Sequence, residues 1–379
     1  MAEALILAEA SPGEMRTALL LAGRLTEAWV ERPARPDGVG DLHRGRVVAI
    51  SAAMSGAFVA LAGNETGFLP ESAASTPRQP IKQAVQEGQL LGLRVTRAAQ
   101  AGKGPRLSAL LSDAEAALIA AAPTGAPRLV ARGPCAIQRL AARYPQAVIR
   151  LSGAALVARL RPVLGDRVQT QHGAVFDAVF DEAIEGEFAA LAENAVALPG
   201  GGVLHIQTTR ALTALDVDSG GAGDGLARFN EIALPEIARQ IRLRNLSGAI
   251  LLDVAGLSAK RRQVLLEPLR AALAPDRLTR LVGLTGLGLV EMVRDRIHPP
   301  LAEMLHTPLA EGLAALRQAA RDAAARPAAR LMLQAQPEVI AALRDLPGAL
   351  DEYTALTGHS LELQSVPSGP AQLREVPRD

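Results

Sequence analysis

Three aspartates hold the densest chemistry in this sequence. Ala211-Leu-Thr-Ala-Leu-Asp-Val-Asp-Ser-Gly reads as an apolar strand ending in Asp216 and Asp218. Two residues apart, these carboxylates lie on the same side of an extended chain. The segment Ser219–Gly225 follows with four glycines, so its backbone can approach a ligand closely. A second apolar run, Ala249-Ile-Leu-Leu-Asp-Val, ends in Asp253. If the two strands are parallel neighbours, all three carboxylates converge at their C-terminal edge, where α/β folds keep their sites. Hard oxygen ligands on rigid strands suit Mg²⁺, with Mn²⁺ as the substitute. Such an ion polarises a phosphodiester and acidifies its bound water. The plain alternative is that an aspartate at a strand end caps a helix or shapes a turn. Asp253, after an unbroken apolar run, fits that alternative least well.

The elements that must position these residues form a recognisable order. From Pro199 onward, strands at Gly202–Gln207 and Thr213–Val217 precede a helix Asn230–Leu243, a strand Ala249–Val254 and a helix Ala259–Leu273. A strand Arg280–Leu284, a helix Leu289–Asp295 and, after Pro299-Pro300, a helix Leu309–Ala325 lead into a compact α+β tail. Alternation of this kind predicts an α/β layer. The chain opens on a β meander (Ala4–Ile6, Thr17–Leu21, Leu25–Val30) with turns at Pro12-Gly13 and Gly23. Arg128–Val130, a helix Cys135–Arg143 and Val148–Arg150 read as a β–α–β unit. The stretch Gly173–Asn194 is acidic, through Asp177, Asp181, Glu182, Glu185, Glu187 and Glu193, and holds three phenylalanines.

Between the meander and that unit lie five short strands with Gly and Asn punctuation: Gly45–Ser51, Gly56–Gly63, Gly67–Leu69, Gln89–Thr96 and Arg106–Leu111. Five is the count an OB-fold needs. Only six Phe occur in the chain, and Phe58 and Phe68 fall in this segment. Exposed rings on such a barrel stack the bases of single-stranded nucleic acid, and Lys103 and Arg106 are placed to hold phosphates. Periodicity alone favours the other reading, in which both rings are core. Ser112–Ala122 reads as a helix and Pro123–Pro127 as a linker; no Arg, Lys or His occurs from Leu107 to Pro127.

Bulk composition narrows the classes. At 379 residues the chain needs several domains. A net charge of +1 confines any nucleic-acid surface to a local patch. Lys82, Lys103 and Lys260 are the only lysines, the bias to Arg being the mark of a GC-rich coding sequence. One cysteine, Cys135, rules out a disulfide framework and a cysteine-based zinc site, and fits a cytoplasmic protein. No secretory leader is recognisable and no apolar run is long enough to span a bilayer. The six His lack ligand spacing, and no P-loop or G-x-S-x-G element is present.

Two sets of motifs carry a family resemblance. His43-Arg-Gly-Arg-Val, Met54-Ser-Gly-Ala-Phe-Val-Ala-Leu and Glu65-Thr-Gly-Phe-Leu-Pro resemble the S1 RNA-binding domain of the ribonuclease E/G family. Ala211–Gly220, followed by Glu236-Ile-Ala-Arg-Gln-Ile-Arg-Leu-Arg-Asn-Leu-Ser-Gly-Ala-Ile-Leu-Leu-Asp253, resembles the catalytic stretch of the same family. The resemblance runs over nearly the whole chain. It implies an RNase H-like meander (1–36) continued at 126–195, an S1-type OB-fold at 37–111, a DNase I-like catalytic α/β domain at 196–305 and a small α+β domain at 306–379. It further implies Mg²⁺ held by Asp216 and Asp253, with the residue at Asp218 supporting the site. Phe58 and Phe68 then belong to an RNA-binding face, and the basic side chains Lys103, Arg106, Arg239, Arg242 and Arg244 are expected to contact single-stranded RNA.

The sequence also departs from the family pattern. Asp218 stands where the family has Asn, Val254-Ala-Gly-Leu replaces a bulkier acidic segment, and Gly286 lies where Ser-Arg-Phe-Gly is usual. Leu301–His306 lacks the Cys-Pro-x-Cys zinc link, so no structural zinc and no zinc-linked tetramer is expected, while a homodimer remains compatible. The segment that reads a 5′-monophosphate in larger members is missing. The implied activity is endoribonucleolytic cleavage of single-stranded RNA in processing or decay. The alternative is an RNA-binding protein of the same family with a weakened site; a phosphoesterase with no nucleic-acid role would leave the OB segment unexplained.

Overall fold

A computed structural model describes residues 3–100, 102–125, 127–170, 179–221 and 225–376. By internal packing the chain forms two units. One comprises Met1–Pro36, Ala136–Asp295 and Pro300–Asp379, the other Asp37–Cys135 with Arg296–Pro299.

The larger unit holds three sheets. The first runs in the order Val168–Thr170, Val148–Ser152, Ala4–Ser11, Glu14–Leu21, Arg24–Glu31. Its last three strands are the antiparallel meander, and Val148–Ser152 adds in parallel beside Ala4–Ser11. Leu7, Ala18, Leu20 and Leu25 pack with Phe180, Ile184 and Phe188 of the acidic stretch. The middle strand of the meander, Glu14–Leu21, is buried along nearly its whole length, so its charged residues need partners. Arg16 finds them in Glu9 (2.5 Å) and Glu185 (2.7 Å), with its guanidinium over the Phe180 and Phe188 rings. Glu185 also pairs with Arg321 from the helix Pro308–Ala325. Part of the acidic stretch is thereby committed to structure; Asp177 lies outside the described residues.

The second sheet carries the aspartates, in the order Ala195–Ala197, Val203–Thr208, Leu212–Asp218, Gly248–Asp253, Val290–Arg294, Thr279–Leu284. Leu212–Asp218 and Gly248–Asp253 are parallel neighbours, and the other pairings are antiparallel. Val290–Arg294 is a strand, which corrects the helix expected at Leu289–Asp295. Its apolar run is too short for periodicity to separate the two forms. Pairing on both sides decides for the strand, with Val290, Met292 and Arg294 turned inward. Leu215, Val217, Ile250 and Leu252 face the helix Leu226–Leu243 and its core partners Phe229, Leu234, Ile237 and Ile241. The third sheet (Glu362–Ser365, Leu331–Ala335, Gln372–Glu375) packs with the helices Pro308–Ala325, Pro337–Arg344 and Ala349–Thr357 around its own core of Leu313, Leu316, Leu333, Leu343 and Tyr353.

The smaller unit is a closed barrel of five strands, Leu42–Ser51, Gly56–Ala60, Thr66–Pro70, Arg106–Ser108 and Leu90–Arg97, closed by pairing of Gly56–Ala60 with Leu42–Ser51. Val47, Ala57, Val59, Leu69, Leu93, Val95 and Leu107 fill it. Arg128–Ala131 adds to this sheet, antiparallel to Leu42–Ser51. The expected β–α–β unit is therefore corrected: its first strand belongs to the barrel, and only Val148–Ser152 joins the meander. The connecting helix Asp113–Ala121 starts on a capping box of Ser112 and Glu115, and its Ile119 packs where Gly92 leaves room. Arg94 grips Glu115 at 2.7 and 2.8 Å, and Arg44 donates to the Ile119 carbonyl.

Candidate functional site

The second sheet of the larger unit brings two of the three aspartates into direct register. Asp216 and Asp253 are partners across the parallel pair Leu212–Asp218 and Gly248–Asp253. Alternation explains why both are available: Leu215 and Val217, like Ile250 and Leu252, turn into the core, so Asp216 and Asp253 turn to the opposite face. Asp216 is exposed and Asp253 half-buried. His205 is the register partner of Asp216 on its other side and is also exposed. One row on this face thus reads His205, Asp216, Asp253 across three strands.

Asp218 lies one step further along the strand, paired with Val203. Its Oδ1 accepts from the Gly220 backbone N–H at 2.9 Å, so it shapes the start of the glycine-rich loop. Gly220 has φ +58°, and a Cβ there would sit 2.6 Å from the Gly201 carbonyl, which explains the glycine. Ala222, Gly223 and Asp224 of the same loop lie outside the described residues.

Asp253 is held by a residue that sequence reading passes over. The Arg262 Nη1 donates to Asp253 Oδ1 at 2.6 Å, while Arg262 also donates to the carbonyls of Leu257 (2.9 Å) and Gly288 (3.0 Å). Nothing in the spacing of Arg262 announces this, because the contact depends on the turn at 254–258. Asn230 is the second omission. Buried to 1% exposure, it donates to the Leu226 and Ala255 carbonyls and accepts from the Ala255 N–H, so it fixes the segment that follows Asp253. Here a signal exists, since Asn is a poor residue for a helix interior unless its amide has a task.

Arg239, Arg242 and Arg244, expected on an RNA face, are committed elsewhere. Arg239 pairs with Glu236 and Glu187 and donates to the Leu25 carbonyl. Arg242 is buried beside Glu27 and donates to the Thr26 carbonyl. Arg244 is 5% exposed and donates to the carbonyls of Ala190, Leu191 and Glu193. A long cationic side chain buried this way satisfies backbone acceptors at element ends. Its charge in the sequence gives no hint of that use.

In the barrel, Phe58 and Phe68 are cross-strand partners with ring centroids 5.5 Å apart and planes at 63°. Both are half-buried and lie on the outer face, because their neighbours Ala57, Val59 and Leu69 point inward. The core reading of these rings is thereby excluded. Gly56 makes room for them: a Cβ there would meet Phe68 Cζ at 2.3 Å. Arg106 registers beside Phe68, and Arg97 beside Arg106. Burial and the charges of Arg106 and Arg296 lower the Arg97 pKa from its ordinary value. Among the described residues no carboxylate pairs with these three guanidiniums, so the patch is open to an anion. Lys103 is exposed at the tip of the same hairpin. Arg97 and Arg296 are absent from the sequence-derived set.

Fold and site together define a two-unit α/β protein with a ring-bearing closed barrel and a paired-carboxylate sheet edge. Residues 149–297 match the model of the Ribonuclease E/G family. The chain is similar to ribonuclease G of Salmonella typhimurium, 31% identical over 218 residues, which is 52% of this chain and 44% of that protein. It is 38% identical over 136 residues to a putative ribonuclease E of Buchnera aphidicola, covering 34% of this chain and 33% of the relative. Against ribonuclease G of Escherichia coli K12 it is 37% identical over 139 residues, 35% of this chain and 28% of the relative. Each match spans less than half of the relative's length. The matched stretch contains Asp216, Asp253, Asn230 and Arg262.

Proposed function

We propose that the protein is a divalent-metal-dependent endoribonuclease that cleaves single-stranded RNA, in processing or decay, in the cytoplasm. The observation that carries this reading is the direct register of Asp216 with Asp253 on parallel neighbouring strands. Two hard carboxylates on one open face suit Mg²⁺, which takes one or two such ligands and keeps its remaining waters. Among the described residues no group of three or more His, Cys, Asp or Glu side chains is placed to hold a metal ion. A bound Mg²⁺, or Mn²⁺ in its place, would supply charge to polarise the phosphodiester and acidify the attacking water. The chain's own contribution is placement. Asn230 fixes the backbone after Asp253, and Asp218 holds the entry to the glycine-rich loop. Phe58 and Phe68 stack bases, with Lys103, Arg97, Arg106 and Arg296 pairing the phosphates. We assign the barrel as an S1-type OB-fold, the meander sheet as RNase H-like and the aspartate-bearing layer as DNase I-like.

The test is cleavage of end-labelled single-stranded RNA by the purified chain in Mg²⁺ or in EDTA. Asp216→Asn and Asp253→Asn should each abolish Mg²⁺-dependent cleavage while RNA affinity changes little. Near-wild-type turnover in either variant refutes the assigned site. A second reading, an RNA-binding relative with a weakened site, draws on the Arg262–Asp253 ion pair, which places a fixed cation on one of the two carboxylates. RNA binding without any metal-dependent cleavage would select it.

A further inference from the structure

The Arg262–Asp253 contact has a use beyond holding a loop. Arg262 is 15% exposed at its side chain, and its guanidinium is tied to three points: Asp253 Oδ1, the Leu257 carbonyl and the Gly288 carbonyl. Those points belong to three segments, the end of the strand Gly248–Asp253, the turn that follows it, and the turn that opens the strand Val290–Arg294. A guanidinium with two backbone acceptors and a half-buried carboxylate keeps one orientation, because its planar fork loses little entropy per bond formed. Asp253 Oδ1 therefore carries a fixed cationic donor in the resting fold, and Oδ2 is its more open oxygen.

We propose that Arg262 is a positioning residue that sets the metal preference of the Asp216–Asp253 pair. The inference rests on the reading of that pair as a divalent-cation site. With a cationic donor held on Oδ1, ligation through Oδ2 alone is favoured over ligation through both oxygens. One-oxygen ligation matches Mg²⁺, which needs near-octahedral geometry at short distances and retains most of its waters. It penalises Ca²⁺, which takes more oxygens and favours two-oxygen carboxylate ligation. The fixed positive charge also opposes any second cation at the pair, so affinity is traded for selectivity. Val254, Ala255 and Gly256, which follow Asp253, carry no donor side chain.

The experiment measures metal binding without RNA. Wild type, Arg262→Gln and Arg262→Lys are titrated with Mg²⁺ and Ca²⁺ by calorimetry, and with Mn²⁺ by the loss of its free-ion EPR signal. Arg262→Gln should bind Mg²⁺ several-fold tighter and Ca²⁺ at least tenfold tighter, so the Mg²⁺/Ca²⁺ preference narrows. Arg262→Lys, which keeps the charge but not the fork, should fall between the two. Asp253→Asn in the Arg262→Gln background should remove the gain, which assigns it to this carboxylate. Far-UV circular dichroism and melting temperature accompany each variant; if Arg262→Gln does not fold, the Lys variant alone decides by the same shift in preference. Unchanged or weaker binding of both cations in the folded variants overturns the inference, even if wild type cleaves RNA in Mg²⁺. If wild type binds no divalent cation, the metal-site reading falls and the inference with it.

Discussion

If Phe58 and Phe68 stack RNA bases as proposed, truncating either ring separates RNA recognition from folding. Both rings are on the outer face of the barrel, and neither is among the side chains that fill it. What folding loses on Phe58→Ala is the edge-to-face contact with Phe68, about 0.5–1.5 kcal/mol, and part of the ring's burial. Leu107, fully buried in the same barrel, would cost about 2–5 kcal/mol as Leu107→Ala. On that proposal RNA binding loses a stacking platform worth about 1–3 kcal/mol per base. At about 1.4 kcal/mol per tenfold, that is a rise in Kd of roughly fivefold to a hundredfold. The two rings touch, so the double variant should lose less than the sum of the singles. The assay is fluorescence anisotropy of a labelled single-stranded oligoribonucleotide in EDTA at one fixed salt concentration, since phosphate contacts make affinity salt-dependent. Melting temperatures are taken alongside, with Leu107→Ala as the core control. The reasoning is refuted if Phe58→Ala and Phe68→Ala keep wild-type affinity while melting as early as Leu107→Ala.

Three further outcomes follow from the same contacts. Asp218→Asn keeps the acceptor that Gly220 N–H uses and removes one negative charge beside the phosphate, so cleavage should be equal or faster; a collapse of turnover at saturating Mg²⁺ would show dependence on the third carboxylate. For Glu185, burial pushes the carboxyl up, but the hydrogen bonds and charges of Arg16 and Arg321 overcome it and bring the pKa from 4.5 down to about 2. A depressed carboxyl stabilises the fold above its unfolded pKa and loses that contribution as pH falls toward its folded one, so at about 1.36 kcal/mol per unit Glu185 contributes about 3 kcal/mol at neutral pH. Urea unfolding of Glu185→Gln should show that deficit at pH 7 and a narrowing gap between about pH 4.5 and 2; a gap independent of pH would contradict the pairing. Cleavage rates on 5′-monophosphorylated and 5′-triphosphorylated RNA should agree within about tenfold, or about 1.4 kcal/mol, because the helix Asp113–Ala121 that follows the fifth barrel strand is packed on the barrel through Ile119 and Glu115. A larger preference for monophosphate would point to a sensor elsewhere.

The sequence by itself determined the local elements and the chemistry at their ends. Alternation and turn residues located the meander and the five barrel strands, because a strand's side chains obey a period of two whatever lies beside it. The apolar runs ending in Asp216 and Asp253 were legible for the same reason. Tertiary structure alone decided which strands are neighbours. Arg128–Ala131 joined the barrel and Val290–Arg294 became a strand, since pairing over long sequence separation overrides a short local pattern. It also decided which charges are free. Arg239, Arg242 and Arg244 look like a basic helix face in the sequence, yet they close backbone carbonyls inside the larger unit. Arg97, Arg106 and Arg296 carry the same side chain and stay open, while Arg262 is spent on Asp253. A guanidinium has one charge and five donors wherever it occurs, and only the acceptors that folding brings to it settle whether that charge faces a carbonyl, a carboxylate or a phosphate.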